Sequence, residues 1–182
     1  TANVNPPLKF SLQNIDPEHP YGQSRGFEST LYEYLGAGYY RSKQGTAHFD
    51  NRFVFPLHNT AGELIGYNGR SVEPRVEPTW LLPNAEKGFS KSHMLYNLHR
   101  VDDERVVVVE GVWGVLACLR AGIGAVVALL GCSMSEWQET ALGRFSEVTL
   151  LLDGDPAGRD ATAKIGKRFL EKQKSLRAVF LP

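Results

Sequence analysis

Cysteine is scarce. Cys118 and Cys132 are the only two in 182 residues, too few for a disulfide framework or for a structural zinc site with four closely spaced ligands. Both sit in apolar surroundings, which predicts buried free thiols and a reducing, cytoplasmic setting. Long apolar runs are missing as well: no stretch of about 18 residues would cross a membrane as a helix. The first residues, TANVNPPLKF, carry no basic-then-apolar pattern of a secretory signal. They begin with Thr rather than Met, as expected of a cut-out piece or a processed end. Net charge is missing too, with 20 Lys and Arg balanced by 20 Asp and Glu. That excludes a generally basic nucleic-acid coat while permitting a local basic surface. The five histidines, His19, His48, His58, His93 and His99, are scattered without metal-ligand spacing.

What is present is ordinary globular composition, 42% apolar and 22% charged, with a change of character near residue 105. Before it, the chain is rich in Pro, Gly and aromatics and its apolar runs are short. A helical pattern over GFESTLYEYLGAGYY (26–40) ends at Gly36 or Gly38. RFVFPLHN (52–59) and ELIGYNGR (63–70) read as strands of a hairpin joined by Asn59-Thr60-Ala61-Gly62. EPRVEPTWLLPN (73–84) reads as extended, and FSKSHMLYNLHR (89–100) as a short helix or turn. The aromatics Phe53, Phe55, Tyr67, Trp80 and Tyr96 are expected mainly in the core.

After residue 105, strand and helix patterns alternate. VVVVE (106–110), AVVALLG (125–131), VTLLLD (148–153) and RAVFLP (177–182) read as strands. Helices are expected at 113–122, within 133–145, and from Pro156 or Ala157 to about Lys174. The helix within 133–145 has Ser133 and Glu136 in capping-box spacing, or Ser135 and Gln138 as an alternative start. The last helix turns Ala161, Ile165 and Phe169 inward and carries a basic stripe, Lys164, Lys167, Arg168, Lys172 and Lys174, read as a solvated face. Short connections between alternating elements predict parallel strands with helices on both faces. The expected fold is thus an α/β domain over 105–182, preceded by a smaller mixed α+β subdomain over 1–104.

In such sheets ligands bind beyond the carboxyl ends of the strands. Glu110 ends the first of these strands, and Asp153 and Asp155 end the third, two residues apart and therefore expected on one face. Asp155 before Pro156 is also a good helix N-cap. A buried strand ending in a glutamate calls for a partner to the charge. Three carboxylates at one edge suit a hard divalent cation, Mg²⁺ or Mn²⁺, which bridges carboxylates and substrate phosphates.

VVVVEG followed by LLLDGDPAG resembles the Toprim domain of DnaG-type primases, topoisomerases and some nucleases. Its glutamate matches Glu110 and its D-x-D matches Asp153 and Asp155, while ALLG (128–131) and Gln138 are similar to the primase version. NRFVFPLHNTAGELIGYNGR (51–70) resembles the primase segment R-x-x-F-P-I, a turn, then G-x-x-G-R, and KGFSKSHMLYNL (87–98) its F-x-K…L-Y-x-L segment. Residues 5–40 look like the entry region of phage and mobile-element primases. The resemblance implies template-directed synthesis of RNA primers from NTPs, with Glu110, Asp153 and Asp155 catalytic and holding the metal. It makes Arg52, Arg70 and Lys91 candidates for binding template or triphosphate phosphates. Single-stranded DNA, NTPs and a replicative helicase are the implied partners, with no membrane. Two departures stand out. Gly114 occupies a place where the primase pattern E-G-x-x-D-V has an aspartate, and the chain ends at Pro182, where a further acidic motif is expected. A non-catalytic nucleic-acid-binding module and a metal-dependent nuclease are the alternatives.

Overall fold

The computed structural model describes residues 4–43, 45, 48–172 and 175–180. The chain forms two compact units, residues 1–89 and 90–182, and each is described by itself.

The first unit is built on a four-stranded antiparallel sheet, in order β1 (Gly38–Tyr40), β2 (Arg52–His58), β3 (Leu64–Ser71) and β4 (Trp80–Leu81). The β2–β3 hairpin turns where the sequence signals it. The Asn59 side chain accepts from Ala61 N and Glu63 N, both at 3.0 Å, and Gly62 supplies the positive φ. Pro56 is tolerated inside β2 because β1 pairs only with Arg52–Val54, leaving no neighbour on that side to ask for its missing N–H. Two short helices, α1 (Pro20–Ser24) and α2 (Ser29–Leu35), precede the sheet. Tyr32 of α2 packs edge-on against Phe53 with ring centroids 4.8 Å apart, and its hydroxyl donates to Gly22 O at 2.8 Å. Phe53, Phe55, Leu57, Tyr32 and Leu35 are fully buried. The left-handed Gly36 ends α2.

The second unit carries the parallel sheet. Its order is β6 (Val126–Ala128), β5 (Arg105–Val109), β7 (Glu147–Leu150), β8 (Leu176–Ala178), and all three pairings are parallel. Alternating side chains divide between the faces. Val106, Val108, Val127, Val148 and Leu150 share a core with Leu142 of α4 (Glu136–Leu142) and with Ala161, Ile165 and Phe169 of α5 (Pro156–Glu171). Val109 faces the other way, onto α3 (Val112–Arg120) at Gly114. Each fully buried Val or Leu contributes roughly 1.5–3 kcal/mol of apolar transfer free energy. The helices therefore cover both faces, as the alternation predicts. Among the described residues no helix is long and apolar enough to cross a membrane.

Several details differ from expectation. Of the two expected starts of α4, the structure has the second, the Ser135–Gln138 capping box. Gln138 Nε2 also donates to Met94 O at 2.8 Å, tying this start to the segment before β5. Regular strand β7 ends at Leu150, so the two aspartates lie in the connection beyond it. Cys118 is buried but Cys132 is exposed, because it falls in the loop after β6 rather than in the strand. Nor is the basic stripe of α5 wholly solvated. Arg168 and Lys172 both pair with Glu139, Lys172 at 2.7 Å, while Lys164 and Lys167 are exposed; Lys174 lies outside the described residues.

Glu139 is the buried charge that joins α4 to α5. Burial by itself raises its pKa, but the Lys172 and Arg168 cations outweigh it and hold the carboxyl below the ordinary value. A depressed carboxyl adds stability above its unfolded pKa and loses it as pH falls through the folded value. Replacing Glu139 by Gln should cost about 1–2 kcal/mol at pH 7, discounted because both cations are partly exposed. In urea unfolding curves the difference from wild type should shrink as pH drops through the carboxylate range.

Candidate active site at the carboxyl edge of the parallel sheet

Glu110 follows the last residue of β5, at the carboxyl end of the central part of the sheet. It is half-buried, and its Oε1 accepts from the backbone N–H of Asp153 at 3.3 Å. The contact spans the two neighbouring strands β5 and β7, whose register pairs Val108 with Leu150. Leu152, buried in the core, anchors the chain just before it turns outward at Asp153.

Asp155 is the N-cap of α5. Its Oδ1 accepts from Gly158 N at 2.8 Å, with Pro156 at the first helical position. The capping reading and the acidic-edge reading of Asp155 therefore coexist, since a cap engages one of its two carboxylate oxygens. The helical chain then contributes Arg159, whose Nε donates back to Gly154 O at 2.8 Å. This clamp on the Asp-Gly-Asp turn went unnoticed in the sequence. An arginine four residues into a capped helix is the only local signal for it.

The electrostatics follow from this crowding. Burial, then the negative charge of Asp153, and further Asp155, raise the Glu110 carboxyl above the ordinary value, and the Asp153 N–H offsets only part of this. The donors are all hard oxygens, the chemistry that suits Mg²⁺-like cations. Among the described residues no three His, Cys, Asp or Glu side chains are grouped as a ready cage for an ion. The arrangement fits a cation met by carboxylates along one open edge and completed by water and substrate phosphate, rather than one enclosed by protein.

Lys91 reaches the same edge. The segment before β5 pairs with β6 through Tyr96 and Ala128, at 2.9 and 3.1 Å. This brings the Lys91 Nζ to 3.0 Å from where a Cβ on Gly131 would stand, and Gly131 N donates to Glu110 O at 3.1 Å. Lys91, Glu110, Asp153 and Asp155 thus belong to one unit and one sheet edge.

Arg52 and Arg70 belong to the first unit, and the structure does not bring them together. Arg70 pairs with Phe53 in the β2–β3 register and Arg52 with Ser71, so the two side chains leave opposite faces of the sheet. Arg52 is buried; its Nη1 donates to the carbonyls of Gly69, Pro78 and Thr79 at 3.2, 2.9 and 3.3 Å. Burial lowers its pKa. Arg70 is half-exposed, donates from Nε to Tyr21 OH at 3.2 Å, and lies 5.4 Å from the Trp80 ring centroid.

This fold and acidic edge define a Toprim-like α/β domain, and comparison with known proteins agrees. Residues 107–182 match the Toprim-like family model, and residues 9–102, more than half of the chain, match that of the DNA primase catalytic core, N-terminal domain. The chain belongs to the DNA primase catalytic core family. The DNA primase of Staphylococcus epidermidis is 32% identical over 173 residues, 90% of this chain and 29% of that protein. The E. coli primase catalytic core has a TM-score of 0.75 at 26% identity, over 91% of this chain and 65% of the other. A DnaG primase catalytic domain bound to single-stranded DNA has a TM-score of 0.75 at 25% identity, over 91% and 64%. The chain spans less than a third of the length of the curated relatives it matches.

Gly114 has a steric reason to lack a side chain. A Cβ there would fall 2.9 Å from Val109 Cβ, so an aspartate at this place needs α3 to move off the sheet. Gly114→Ala should destabilise the chain by about 1–2 kcal/mol, overpacking outweighing the ~1 kcal/mol that Ala gains in helix propensity. Chemical denaturation checks this, and stabilisation would show that α3 has slack.

Proposed function

We propose that this chain is the catalytic core of a DNA primase, synthesising short RNA primers from NTPs on single-stranded DNA in the cytoplasm. The observation that carries this is the acidic edge. Glu110 Oε1 accepts from the Asp153 N–H at 3.3 Å beside the Asp155 cap of α5, burial and then the charges of the two aspartates raise its carboxyl, and Lys91 Nζ stands 3.0 Å from where a Cβ on Gly131 would be. We assign 1–104 to template and nucleotide handling and 105–182 to the chemistry.

Glu110, Asp153 and Asp155 would hold the cation, Mg²⁺ or Mn²⁺. When bound, such a cation neutralises charge on the transferred phosphoryl group and favours ionisation of the attacking hydroxyl. Lys91 would set a positive charge against the substrate phosphates at the same edge. Arg159 keeps the Asp-Gly-Asp turn in place from its Gly154 contact. Arg70, on its aromatic support of Trp80, would contact template or triphosphate oxygens. Arg52 would serve by holding Gly69 and Thr79, and with them the Arg70–Trp80 pair, rather than by touching phosphate with Nη1. A single-stranded template agrees with the DNA-bound relative, and a replicative helicase is the partner such a core would follow.

The test combines single-stranded template, labelled NTPs and Mg²⁺ or Mn²⁺ with this chain and with any longer protein that carries it. The expected outcome is short oligoribonucleotides, reduced at least 100-fold in Glu110→Gln and Asp153→Asn, on the scale of losing a group that stabilises transition-state charge. Folded protein giving no oligoribonucleotide under any of these conditions overturns the reading. Cleavage of DNA without NTPs would indicate a nuclease instead.

A further inference from the structure

The acidic edge converges on a residue with no side chain. Gly158 lies in the first turn of α5, where its N–H donates to Asp155 Oδ1 at 2.8 Å. A Cβ at this position would stand 2.1 Å from Asp153 O and 2.8 Å from Glu110 Oε1. All three acidic residues thus meet Gly158 through different atoms: its N–H holds one, and its missing side chain makes room for the other two. A backbone carbonyl 2.1 Å away cannot step aside as a flexible side chain can. Any larger residue must therefore move the start of α5 away from the Asp153 turn, or the turn away from Glu110.

Helix propensity points the other way. Glycine inside a helical turn is poorer than alanine, and φ of Gly158 is not in the left-handed region that would favour glycine. Backbone conformation therefore gives no reason for this glycine, and the close approach does. Gly166, on the same helix, is the contrast: a Cβ there would meet only Leu176 Cδ2, at an ordinary 3.7 Å.

We propose that Gly158 is a positioning residue that sets the separation of Glu110 from the Asp153–Asp155 turn, and so the affinity of the edge for a divalent cation. This rests on the reading of the three acids as the cation site. Calorimetric titration of the chain with Mn²⁺ tests it, with thermal unfolding run in parallel. Gly158→Ala should weaken Mn²⁺ binding at least tenfold, whereas Gly166→Ala should bind as wild type and melt no lower. Folded Gly158→Ala with wild-type affinity overturns the proposal.

Should Gly158→Ala not fold, amide spectra of the wild-type chain decide. On Mg²⁺ addition the Gly158 N–H resonance should shift along the same saturation curve as that of Asp153. A Gly158 resonance that stays fixed while that of Asp153 moves overturns the proposal. The acid variants separate the two claims. Mn²⁺ binding that is absent in wild type, or unchanged in Glu110→Gln and Asp153→Asn, overturns the cation site itself. Acid-dependent binding indifferent to Gly158→Ala overturns only the role of Gly158.

Discussion

A glutamate carboxylate half-buried beside two aspartates is the constraint on which the acidic edge depends. Burial of Glu110, and after it the charges of Asp153 and Asp155, raise its pKa, and one backbone N–H compensates only in part. Left to themselves such groups move apart or take up a proton. Here they are held by their anchors. Glu110 continues a buried strand, Asp153 follows the core residue Leu152, and Asp155 is fastened to the start of α5. The packed core thus fixes the backbone from which the three carboxylates project.

The rest of the second unit serves this arrangement. Parallel strands deliver their carboxyl ends to one edge, and the order β6-β5-β7-β8 puts the two acid-bearing strands side by side. Two glycines let helices approach the sheet closely, Gly114 on one face and Gly158 beside the acids. On the far side of α5 the buried Glu139 pairs with Arg168 and Lys172. Those ion pairs tie α4 to the helix whose first turn Asp155 caps.

Much of this is legible in the sequence because its causes are local or periodic. β-branched runs specify buried strands, Asn59 to Gly62 specify a hairpin, and Asp155-Pro156 specifies a helix start. The acidic edge can be read because strand order and direction bring Glu110 and Asp153 to the same end. What escaped reading depends on distance across the fold. Nothing near Arg52 shows that its guanidinium will be buried among the carbonyls of Gly69, Pro78 and Thr79. No periodicity announces that Arg168 and Lys172 will find Glu139, about 30 residues away and beyond the ~11–18-residue window in which periodicity is read. The glycines are ambiguous for the same reason: Gly114 looks like a lost carboxylate until Val109 is seen behind it.

The most direct test of this account is the ionisation of Glu110 itself, followed by carbon NMR of its side-chain carboxyl in the metal-free chain and again with saturating Mg²⁺. Titration above the ordinary glutamate range is expected without the ion, and a shift to lower pH when the ion is added. A carboxyl that titrates in the ordinary range and ignores Mg²⁺ would contradict it.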